Sequence, residues 1–356
     1  TGTIAGALSG NATLDGNRVT LAGDITADAT TRRLDGLRLE AGSTILAGDV
    51  VQDAAGLLTG RLNLAAPDAA TAAALLLVDA TGSANADIAL SAAGGTQGAT
   101  VTARVSDLSA EGVSVAAADL NAEIADLFGA PRGSFTATGS GISAAAISDL
   151  GVTPFRVNAS GSFAGETVVL SSLAAEGAGG LQLTASGRVP FNGNGLDLTV
   201  DGTAPLALGN RFVADRGGQL SGNATLRATV TGSFSDPRLN GTVSTAGSSY
   251  IDPELNLRLV DITGSASLAG DRVNIDRLTA ALSTGGTVSM AGSLGISGNN
   301  DADLAVRLNS ARYADGNLFV ATVSGDLAIT GPLQRSPTLS GNLLVERADI
   351  TIPETL

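Results

Sequence analysis

The sequence predicts a mainly β protein, an elongated antiparallel sheet with one apolar face, one wet face and a few short helices. Three observations predict it: strict two-residue alternation of aliphatic and polar residues, turn signals between the alternating runs, and long-period internal repetition.

Alternation is the primary signal. Leu196, Leu198 and Val200 alternate with Asp197 and Thr199. Leu255, Leu257 and Leu259 alternate with Asn256 and Arg258, and Leu304, Val306 and Leu308 with Ala305 and Arg307. Val19 and Leu21, Leu37 and Leu39, and Val273 and Ile275 follow the same rule. Successive side chains of a strand point to opposite faces, so each run describes a strand with one apolar side. Asp15-Gly16-Asn17, Asp35-Gly36, Gly193-Asn194-Gly195, Asp201-Gly202 and Asp315-Gly316-Asn317 read as turns, because these residues tolerate positive φ. At about 12 residues per strand and turn, the chain length corresponds to about 30 strands.

The repeats are imperfect. Residues 165–189 align without gaps on 270–294, an offset of 270 − 165 = 105, pairing Gly165 with Gly270 and Gly187 with Gly292. Thr231 to Gly241 reads TGSFSDPRLNG and Thr330 to Gly341 reads TGPLQRSPTLSG; their prolines Pro237 and Pro337 lie 337 − 237 = 100 apart. Each copy contains Pro-x-Leu-x-Gly, and Pro253 and Pro353 close the strand after it. Proline lacks an N–H, so the motif marks a strand start or a turn in a repeated scaffold. Three stretches break the pattern and read as short helices near 68–78, 119–128 and 143–150. The first has Pro67-Asp68 before a helix-forming run, and the second sets Leu120, Ile124 and Leu127 at helical spacing before Gly-Ala-Pro.

Composition excludes most chemistry. The 356 residues include no His, no Cys and no Trp, and all 20 basic residues are Arg. This removes the Ser-His-Asp triad, the thiol nucleophile, the Schiff-base lysine and the Cys/His zinc site. Gly139-Ser140-Gly141 lacks the third glycine of a dinucleotide loop, and the Asp-rich 297–304 lacks calcium-loop spacing. No catalytic residue, cofactor or metal is expected. The net charge of −14 offers no footprint for nucleic acid. The longest apolar run, Ala72 to Val78, is too short to span a bilayer.

The order of several elements carries a resemblance: Pro-Leu-Ala-Leu (205–208), Pro237-x-Leu239-x-Gly241, Gly270-Asp-Arg-Val, Gly325-Asp-Leu and Arg347-Ala-Asp-Ile-x-Ile-Pro353. Residues 204–280 and 322–356 resemble the C-terminal half of the TamB family, the inner-membrane subunits of the translocation and assembly module, grouped with AsmA-like bridge-like lipid transfer proteins. The resemblance implies a sheet folded lengthwise into a U-shaped trough, a β-taco, divided as a repetitive segment 1–200 and a TamB-like segment 201–356 of one continuous domain. It implies phospholipid movement across the periplasm, support of autotransporter assembly, the outer-membrane barrel TamA or a related assembly barrel as partner, and an inner-membrane anchor outside this sequence. The aliphatic sets Leu196, Leu198, Val200, Leu255, Leu257, Leu259, Val273, Ile275, Leu304, Val306 and Leu308 are then the candidates for lining the groove. The competing expectation is a β-solenoid adhesin or autotransporter passenger, with short regular rungs around a dry core.

Overall fold

A computed structural model describes residues 2–14, 17–70, 79–110, 112–295, 300–315, 319–333 and 335–350. The chain forms two compact units, Thr1–Ala178 with Ala185–Asn192, and Gly179–Thr184 with Gly193–Leu356.

The first unit is an antiparallel meander. Its strands are β1 (Ile4–Leu14), β2 (Asn17–Ala27), β3 (Arg32–Ala41), β4 (Thr44–Gln52), β5 (Leu58–Ala66), β6 (Ala80–Ala93), β7 (Thr96–Ala110), β8 (Val113–Ala125), β9 (Arg132–Ala144), β10 (Phe155–Ala164) and β11 (Thr167–Glu176). Each pairs with the next in order. β12 (Gln182–Pro190) is divided between the units.

The second unit contains β13 (Asn194–Pro205), β14 (Gln219–Ser221), β15 (Asn223–Ser233), β16 (Pro237–Asp252), β17 (Leu257–Ala269), β18 (Arg272–Leu282), β19 (Thr287–Gly295), β20 (Asp301–Ala314), β21 (Phe319–Pro332) and β22 (Thr338–Ile350). β13 pairs with β15, and β15 to β22 pair in sequence. The excursion between β13 and β15 contains short 3-10 turns, and β14 returns to pair with the end of β16. The described residues hold 22 strands, below the expected 30, because strands run to 16 residues.

The helix expected at 119–128 is corrected. Residues up to Ala125 belong to β8. Leu120 and Ile124 are four apart, a spacing that helix and strand share. Ala122 between them faces the same side, whereas Asp119 and Asn121 meet Arg104 and Thr102 of β7 on the other. Residues 145–150 form a 3-10 helix, Ala145–Leu150, closed by Gly151 at φ +65°. The 68–78 stretch lies mostly outside the described residues.

Two expected turns lie inside strands. Asp35-Gly36 is a bulge of β3, where the Gly36 N–H donates to Asp49 Oδ1 at 2.8 Å. Asp201-Gly202 lies within β13, opposite Arg227 and Leu226. Both glycine motifs are hairpin junctions, as read: Pro237 opens β16 after a turn closed by Asp236 N–H to Ser233 Oγ at 3.0 Å, and Pro337 immediately precedes β22. The aligned repeat is structural too, since Gly165 and Gly270 sit between strands at φ +56° and +62°, and Gly187 and Gly292 adopt φ +134° and +136°. Pro353 lies outside the described residues.

Single buried polar side chains secure junctions. Gln97 is 2% exposed. Its Nε2 donates to the carbonyl oxygens of Leu58 (2.8 Å), Ser91 (3.0 Å) and Gly98 (3.1 Å), while its Oε1 accepts from Leu58 N–H (2.7 Å). The carboxamide completes the ladder where the β5–β6 pairing stops. Gln97→Ala would strand both backbone groups of Leu58 and is expected to cost about 2 kcal/mol, read as a lower denaturation midpoint.

Candidate functional site

The register turns the local alternation into a continuous face. In the second unit one row runs Val200–Ala228–Gly241–Leu268–Val273–Leu294–Ala302 across β13 and β15 to β20. A second runs Val243–Ala266–Ile275–Gly292–Leu304–Ile329–Leu339, and a third Leu278–Met290–Val306–Leu327–Gly341. Directly opposed residues of an antiparallel pair share a face, so these rows lie on one side of the sheet.

Ten of the eleven sequence candidates fall on that side. Leu196, Leu198 and Val200 lie on β13, Val273 and Ile275 on β18, and Leu304, Val306 and Leu308 on β20. Leu257 and Leu259 join through Leu259 opposite Leu282, which alternates with Leu278 and Ala280. Leu255 does not join them. It lies 44% exposed in the turn between β16 and β17, where its N–H donates to Asp252 Oδ1 at 3.0 Å. Ile251 and Asp252 thus end β16, residues 253–256 form a turn capped by Asp252, and only from Leu257 does the alternation belong to a strand.

The first unit carries an equivalent face not singled out among the candidates. One row runs Leu8–Gly23 and another Leu39–Leu46–Leu64–Ala86–Ala103–Leu120–Ala137–Ala159–Leu173. The signal was present in runs such as Leu37/Leu39, but many inward positions are Ala or Gly, which weakens the contrast along the chain.

Burial shows what covers these faces. Among the described residues of the first unit, the fully buried apolar side chains are all Ala. In the second unit the larger ones are Leu196, Ile262, Leu282 and Leu304. Leu198, Val200, Leu257, Leu259, Val273, Ile275, Val306 and Leu308 are half-buried. A dry sandwich buries most of its large aliphatics under a second layer. These rows stand partly open.

Along the rows, ionisable side chains occur at strand ends. Arg32 lies opposite Ala27 and Gln52 in the first unit, and Asp252 lies opposite Leu257 in the second. Asp252 is 1% exposed, and its Oδ2 accepts from the Tyr250 hydroxyl at 3.0 Å. The opposite face is polar. Cross-strand pairs include Arg104–Asp119 at 2.8 Å, Asn63–Asp87 at 2.9 Å and Arg307–Asp326 at 2.7 Å. The Asp326 carboxylate raises the Arg307 pKa through its hydrogen bond and charge. Such exposed pairs contribute little stability but keep this face wet. No His/Cys/Asp/Glu cluster able to hold a metal occurs among the described residues.

No helix among the described residues is long and apolar enough to cross a membrane. Compared with curated proteins and with solved structures, the chain matches none. Residues 276–356 match the family model of the TamB C-terminal domain, covering β19 to β22 and most of β18, where three rows of the aliphatic face cross. TamB proteins are cell-envelope proteins and not an enzyme family. The chain thus carries, over residues 276–356 and including the second copy of the Pro-x-Leu-x-Gly motif, a segment similar to the TamB C-terminal domain.

Proposed function

We propose that the aliphatic face of each unit lines a U-shaped trough that carries phospholipid acyl chains, and that the protein serves lipid movement between the inner and outer membranes across the periplasm. The observation that carries this reading is a continuous row of partly open Leu, Val, Ile and Met whose ionisable neighbours stand at strand ends. Burying one CH₂ stabilises by about 0.8 kcal/mol, so two chains of about 15 methylenes resist leaving a bilayer by roughly 20–25 kcal/mol. A groove of aliphatic side chains offsets that cost and, lacking fixed polar partners, lets the chains slide. In this reading 1–200 and 201–356 are segments with the same task, the inner-membrane anchor lies outside the sequence, and an outer-membrane barrel such as TamA receives the distal end and couples it to autotransporter assembly. The antiparallel meander differs from the parallel stacked rungs of a solenoid adhesin, which favours the groove.

Lipid extraction followed by mass spectrometry of the purified protein should recover bound phospholipid. Photo-crosslinking residues at Leu257 and Val306 should label lipid in cells. Labelling of protein alone at both positions would sink the proposal.

A further inference from the structure

We propose that the polar face of the second unit binds an acidic glycan, an extended polyhydroxyl chain bearing carboxylates. A recess on that face, about 630 Å³, is lined by Thr225, Ser244, Thr263, Thr279 and Arg277, among others. A neighbour of about 280 Å³ shares Thr225 with it, and another of about 360 Å³ shares Arg277. The shared residues make them one furrow, with the main recess inside the usual ~300–1,000 Å³ range of ligand clefts. Bulges of β16 to β18, at Thr245/Ser248, Val260/Thr263 and Ser265/Ala266, bend the strands there. A long shallow furrow fits an extended polymer better than a compact molecule.

The hydroxyl groups specify what enters. Thr279 Oγ1 donates to the Thr263 carbonyl at 3.3 Å, and Thr263 Oγ1 to the Asp261 carbonyl at 3.3 Å. Ser265 Oγ donates to Asp276 Oδ2 at 3.4 Å, and Thr225 shares one proton with Ser244 at 2.8 Å. Their protons are engaged, so these oxygens present lone pairs and call for a ligand rich in donors, as sugar hydroxyls are. The strands beneath are paired on both sides, which leaves a peptide no main-chain partner.

Arg277 supplies the opposite requirement. Its neighbours are matched, Arg227 to Asp201 at 3.8 Å and Arg307 to Asp326 at 2.7 Å. Among the described residues Arg277 has no carboxylate within ion-pair reach, and a bulge after Ile275 places it between two recesses. A guanidinium so placed takes a carboxylate by a charge-assisted hydrogen bond. With a net charge of −14, the protein has no general attraction for anions, so binding would have to be local.

Calorimetric titration with an oligogalacturonate should show binding. Arg277→Gln should weaken it about tenfold or more. A neutral glucan of the same length should bind as weakly to wild type as oligogalacturonate does to the variant. Unchanged phospholipid content in Arg277→Gln separates this site from the aliphatic face. Failure of oligogalacturonate to bind, equal affinity of wild type and Arg277→Gln, or equal affinity for a polyglutamate of matched length overturns the proposal.

Discussion

Gly341→Ala is expected to cost about 3 kcal/mol or more and to break the β21–β22 pairing. Gly341 has φ +140°, and a Cβ there would collide with the Asp326 carbonyl oxygen. Its counterpart Gly325, at φ +157°, would drive a Cβ into the Asn342 carbonyl. The two glycines lie opposite Leu327 and Leu343, so each yields room where the backbones approach and a leucine fills the neighbouring place. Gly325-Asp-Leu and Pro-x-Leu-x-Gly, separate motifs along the chain, are therefore two halves of one packing unit. Gly6→Ala is the control, since Gly6 has no neighbour within 4 Å and no positive φ, and its replacement is expected to be neutral or slightly stabilising. Chemical denaturation with amide exchange on β21 and β22 measures both. A Gly341→Ala protein with wild-type stability would show that the close approach is not needed.

Val306→Asp is expected to lower bound phospholipid about tenfold or more while leaving the fold intact. Val306 stands opposite Met290 and Leu327 in the third aliphatic row and is only half-buried. A carboxylate there keeps access to water when the groove is empty, so folding tolerates it. It loses that access when an acyl chain covers it, which costs several kcal/mol. Ala305→Asp, one residue away on the exposed polar face, adds the same charge without touching the row. Lipid content by mass spectrometry should fall in the first variant and not in the second. Equal content in both would remove the aliphatic face from the lipid path.

The sequence by itself determined the β class, the turn chemistry of both Pro-x-Leu-x-Gly copies and the membership of ten inward side chains in strands, because a period of two is written locally in consecutive residues. It also determined what the chain cannot do with His, Cys or Lys. Where two periods share a spacing it misled, as at Leu120 and Ile124, and the turn at Leu255 interrupts an alternation that looks unbroken in the letters. Only the tertiary structure decided that strands far apart in the chain align their aliphatic positions into rows, that Asp35-Gly36 is a bulge, that Gln97 completes a ladder 39 residues away, and that Gly325 and Gly341 each stand opposite a leucine of the neighbouring strand. These depend on register and on the approach of a neighbouring backbone. Both are set by pairing across strands, so no window of consecutive residues contains them.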